Sequence, residues 1–130
     1  MLAAFALAAA LSASPAASAD DFAARVLRGR LTEAGPGGPA YQKQFWAVIN
    51  DPLTALLQDC IARNAPADKS PFTLVADLAA DGHPGRIEAQ PATPVARCTA
   101  EGFAQFTPPP PPAGQDDGTY PIEIDISIAP

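Results

Sequence analysis

Histidine, methionine and tryptophan each occur once in the 130 residues, and cysteine occurs twice. That scarcity removes most routes to chemistry. His83 has no serine or cysteine nucleophile placed with it by any motif. Two cysteines and one histidine at unrelated spacings do not make a zinc site, and no glycine-rich phosphate loop occurs, so no cofactor is implied. Asp77, Asp81, Glu88, Glu123 and Asp125 are the carboxylates available for acid–base work, and nothing in the sequence shows any two converging. Basic residues are also few: 8 Lys and Arg against 14 Asp and Glu, a formal charge of −6, with no basic cluster. Phosphate neutralisation needs concentrated Lys and Arg, so nucleic acid is not expected as a partner.

The N-terminal stretch "MLAAFALAAALSASPAASA", residues 1–19, has no charge at all, an apolar run from Leu2 to about Leu11, and small residues leading to Ala17-Ser18-Ala19. It reads as a secretory signal peptide cut before Asp20, although the positive n-region is missing. A membrane anchor is the rival reading, but the apolar part is about half of the roughly 20 residues a bilayer needs. The expected location is periplasmic or secreted, with no membrane span after cleavage. In an oxidising compartment Cys60 and Cys98 are expected to form a disulfide, the other reading being two buried thiols. Closing such a loop contributes roughly 3–4 kcal/mol on the chain-entropy account.

In the mature part, residues 20–39 read as an arm: a short helix over about 22–28, with Phe22, Val26 and Leu27 on one side, weakened by Gly29 and followed by the break "GPGGP". Residues 40–130 read as the main domain. Tyr41, Phe45, Val48 and Ile49 begin a helical pattern, and "DPLTALLQDC" predicts a second helix start with Asp51 as N-cap and Pro52 at the first position. Leu53, Leu56, Leu57, Cys60 and Ile61 then form one apolar stripe. Phe72, Leu74, Ala76 and Leu78 alternate along a strand, "ADGHPG" turns, and 86–90 returns. Thr93 and Pro94 open a short helix carrying Val95, Cys98 and Phe103 inward. "YPIEIDISI" alternates Ile122, Ile124, Ile126 and Ile128 against Glu123, Asp125 and Ser127, the pattern of a strand with one face in water.

The order helix-strand-strand-helix-strand predicts an α+β two-layer sandwich, a three-stranded antiparallel sheet in order 2-1-3 packed by two helices. Pro108 to Pro112 are read as a stiff connector between the last helix and the last strand, with a docking ligand or a flexible tether as the other readings.

"FTLVADLAADGHPGRIEAQ", "TPVARCTAEGFAQFTPPPPP" and "YPIEIDISI" together resemble the C-terminal domain of TonB and TolA periplasmic proteins, over about half the chain. The paired cysteines are similar to those of TolA-like versions. The resemblance implies a non-enzymatic protein-interaction module of the cell envelope, binding a protein or peptide segment by strand addition at a sheet edge, as a monomer or weak dimer. It carries partner binding to the last strand, at Tyr120, Ile122, Glu123, Asp125 and Ser127. A membrane anchor and long periplasmic spacer, usual in such transducers, have no counterpart here, so energy transduction is not implied. A small periplasmic inhibitor or immunity-type protein is the alternative.

Overall fold

The computed structural model describes residues 18–114 and 118–129. The leader expected at 1–19 lies outside the described residues, apart from Ser18 and Ala19, which open the first helix. The elements run α1 (Ser18–Ala34), α2 (Gly38–Arg63), β1 (Phe72–Leu78), β2 (Pro84–Gln90), α3 (Pro94–Phe103) and β3 (Tyr120–Ile126). No helix among the described residues is long and apolar enough to cross a membrane.

The three strands form one antiparallel sheet in the expected order, β2-β1-β3. Phe72, Leu74, Ala76 and Leu78 face the same side as Tyr120, Ile122, Ile124 and Ile126, and all eight are buried. α2 and α3 cover that side. α2 was expected to restart at Asp51, yet it is one helix with Pro52 inside it. Its buried residues explain the continuity. Tyr41, Phe45, Ile49 and Leu53 recur every four positions and Cys60 follows on the same stripe, so a break at Asn50 would throw the second half off the core. Keeping one stripe outweighs the single backbone hydrogen bond that Pro52 removes. Val48, read as inward, is instead 48% exposed. α3 starts as its sequence demands: the Thr93 side chain accepts from the Ala96 N–H at 3.1 Å, and Pro94 follows at the first position. α3 lies on α2 through the Cys60–Cys98 disulfide, with Cα atoms 5.7 Å apart, and through Gly102, where any side chain would meet the Leu56 methyls.

The other face of the sheet is where structure and expectation part. α1 does not stop at Arg28, and it is not a detached arm. It continues through Gly29 to Ala34 and lies on the Thr73–Val75–Asp77 face, turning the expected water-facing side into a second interior. The sheet is therefore helix-covered on both sides. α1 buries an unusual face. Arg25 and Gly29 are inward, whereas Leu27 and Leu31 are 58% and 64% exposed. The helix ends in a linker whose Gly37, at φ 74, starts α2.

The proline run is the connector. Pro108 is buried, its carbonyl lying where a Gly82 side chain would be. The Tyr41 hydroxyl donates to the Pro109 carbonyl at 2.7 Å, and the Pro112 ring sits at Gly37. Gly82, at φ 93, is thus required twice, by the hairpin turn and by the strut crossing it.

Candidate functional site

Two polar clusters bind α1 to the sheet, and they differ in how well they are satisfied. In the first, β2 carries a bulge opposite Val75–Asp77, with Arg86 at φ 47. The bulge releases the Arg86 carbonyl from the ladder and aims it at α1. The buried Arg25 guanidinium donates to that carbonyl at 2.6 Å and to Glu88 Oε1 at 2.9 Å, and lies 3.7 Å from Asp77 Oδ1. Asp77, itself buried, also accepts from Arg86 at 3.1 Å. Every charge in this cluster faces its opposite.

The second cluster is the seam between the C-terminal half of α1 and β3. A Gly29 side chain would meet the Glu123 nitrogen at 3.0 Å and the Ile122 carbonyl carbon at 3.1 Å, so helix and strand main chains touch here. Pro121 can lie within β3 because its missing N–H is on the outer side, away from β1. Glu123 and Asp125, two and four positions on, present their amides to that same outer side. The Glu33 carboxyl of α1 lies close enough to the Glu123 main-chain N–H to feel it, and so covers part of the edge.

Charge in the seam is unbalanced. Arg30 is 3.4 Å from Glu123 Oε1 and 3.5 Å from Asp125 Oδ2, while Glu33, Glu123 and Asp125 supply three carboxyls around that one cation. Thr73 donates to Asp125 at 2.9 Å. The Glu123 side chain is only 7% exposed, and its Oε2 is buried without a partner. Desolvation, then Asp125 and Glu33, push its carboxyl up to about 7. Burial raises the Glu33 carboxyl from its ordinary value as well, and raises the Tyr120 phenol, whose hydroxyl is the other buried side-chain oxygen without a partner among the described residues.

The residues expected to bind a partner are distributed over both faces. Tyr120 and Ile122 are anchored in the core, 2% exposed each, with Tyr120 edge-on to Tyr41 at 5.2 Å. Glu123 lies under α1. Asp125, 58% exposed, and Ser127, beyond the strand end, are the accessible pair. They border a shallow groove of about 200 Å³ that Thr73, Gln90 and Ile126 also line. Cys60 and Cys98 are joined. His83 is exposed on the hairpin turn, its main-chain N–H donating to Asp81. Arg25, Arg30 and Glu33 had no part in the sequence expectation; the only hint was the crowding of arginines around Gly29 in "ARVLRGR".

No family model, curated protein or solved structure matches the chain.

Proposed function

We propose that this chain is a non-enzymatic, exported protein-interaction domain that takes an extended partner segment as a fourth strand beside β3. The observation that carries it is the edge itself: β3 pairs with β1 on one side only, and past α1 its outer side is accessible at Asp125 and Ser127. An exposed edge amide is the element that strand addition uses, with main-chain hydrogen bonds supplying affinity and alternate side chains supplying selection. The TonB/TolA-like sequence pattern and the apolar leader support the same reading and its envelope setting. The disulfide is compatible with an oxidising compartment.

Asp125→Pro tests it, since proline deletes the outward amide and leaves the β1 ladder intact, and Asp125→Ala controls for the side chain. A partner captured from envelope extract is expected to bind the alanine variant and to lose about tenfold or more in affinity for the proline variant, one main-chain hydrogen bond being worth about 1 kcal/mol and a distorted edge more. Undiminished binding to Asp125→Pro would sink the proposal.

A further inference from the structure

The α1–β3 seam is the least satisfied interface among the described residues. Both buried side-chain oxygens without partners, Glu123 Oε2 and the Tyr120 hydroxyl, belong to β3. A carboxylate cannot stay buried and uncompensated; it neutralises instead. The groups facing Glu123 leave little choice about how. α1 offers Arg30, more than half exposed, and Glu33; β3 itself offers Asp125. β1 contributes Val75 opposite Glu123 and the uncharged Thr73 beside Asp125. Of the next charges across the sheet, Asp77 and Glu88 are engaged with Arg25, and the Arg86 guanidinium with Asp77. No three metal-ligating side chains among the described residues converge closely enough to hold a metal ion.

We infer that α1 is a proton-controlled clasp over the outer edge of β3, closed when the seam carboxyls hold a proton and loosened when they ionise. This rests on the strand-addition reading above, and what the clasp withholds is the upper part of that edge, at Glu123. The two halves of α1 have separate tasks. Arg25, with its balanced acceptors, holds the N-terminal half in either state, whereas the C-terminal half is held by Gly29, Arg30 and Glu33 against a cluster with excess negative charge. With Glu33, Glu123 and Asp125 all ionised, one arginine faces three carboxylates, and repulsion acts directly across the seam. The Glu123 amide, no longer covered by Glu33, then joins that of Asp125 as a longer run of edge.

The sign follows from the carboxyl being raised. The clasp is fully closed below the ordinary carboxylate range, near 4.5, and loosens as pH rises through about 7. Hydrogen exchange of the whole chain, corrected for the intrinsic pH dependence of exchange, reads this without any partner. Protection over 29–34 and at the Glu123 amide is expected to fall about tenfold or more between about pH 5 and pH 8, while protection of β1 residues paired to β2 stays constant. Glu123→Gln, neutral at every pH, is expected to keep the acid-state protection throughout, and Glu33→Gln to reduce the slope. Flat protection in the wild-type chain would overturn the inference, as would a slope that persists undiminished in both glutamine variants. Failure of strand addition would show instead as unaltered partner binding by Asp125→Pro, with the exchange result untouched.

Discussion

The guanidinium of Arg25 donates to the main-chain carbonyl of Arg86, 61 positions later in the chain, at 2.6 Å. The helix that sequence reading sets apart as an arm is therefore tied to the sheet through a bulge on its far strand. Replacing Arg25 by methionine keeps much of the bulk but leaves Asp77 buried with Arg86 as its one cation. Breaking a buried pair on one side costs about 3–5 kcal/mol. The lower end, about 3 kcal/mol, is expected here because Arg86 remains within 3.1 Å of Asp77. Denaturant unfolding measures it; a loss below about 1 kcal/mol would show the cluster to be dispensable.

Gly29→Ala opposes two effects. Alanine favours a helix by about 1 kcal/mol over glycine. Its methyl would lie 3.0 Å from the Glu123 nitrogen and 3.1 Å from the Glu123 Cβ, against strand main chain that cannot give way cheaply. Overpacking costs about 1–3 kcal/mol, so the net is destabilising. A variant with a higher melting temperature than wild type would show that α1 can shift freely on β3.

Global stability is expected to depend on pH through Glu123. Its carboxyl titrates near 7 when folded against an ordinary 4.5, so the folded chain binds that proton more tightly than the unfolded one. The associated stability is complete below about pH 4.5 and is lost as pH climbs through about 7. A denaturant midpoint that falls across this window, and a flatter profile in Glu123→Gln, are the expected outcomes. A midpoint rising from pH 5 to pH 7 in the wild type, and unchanged in the variant, would assign the pH dependence elsewhere.

Gly82 and Gly118 form a matched pair, both left-handed at φ 93 and φ 79. Nothing lies within 4 Å of a Gly118 side chain, whereas one at Gly82 would strike the Pro108 carbonyl. Alanine at Gly118 is expected to cost only the conformational penalty, about 1–2 kcal/mol. Alanine at Gly82 carries that cost and the displacement of the proline strut, and is expected to lose at least about 2 kcal/mol more. Equal melting temperatures for the two variants would contradict the strut's position.

Removing the Cys60–Cys98 bond by a double alanine substitution should cost about 3–4 kcal/mol, because it ties α2 to α3 across 38 positions. The simplest check precedes mutagenesis: the non-reduced, denatured protein should take up no alkylating reagent.

The strand order and the inward isoleucines of β3 were legible because period-two alternation and the Asp81-Gly82 turn admit few arrangements once a core exists. Thr93-Pro94 was legible for the same local reason, a cap and a proline that suit a helix start. Pro52 misled, since the rule placing proline at a first turn is local, while the stripe that carried α2 through it spans 41 to 60. α1 misled more deeply. Its buried positions are an arginine and a glycine, and two of its leucines face outward, so apolar periodicity points to the wrong side. The hold of Arg25 on the Arg86 carbonyl spans 61 positions and that of Arg30 on Glu123 spans 93, which no window on the chain can join. For the same reason Glu123 read as a solvent-facing acid on an edge strand; only with α1 in place does it become a buried one.

The proline run acts as a gauge. In the polyproline II form each residue turns the rod by about 120° and advances it about 3.1 Å. Its touching points, Pro108 at Gly82, Pro109 at Tyr41 and Pro112 at Gly37, therefore hold only for one length and one phase. A sixth proline would rotate Pro112 away from the α1–α2 linker and push the start of β3 outward together. The distance from the hairpin to the clasp is thus written in the number five, and the spacing of two otherwise separate parts of the molecule is measured by a segment that is neither helix nor strand.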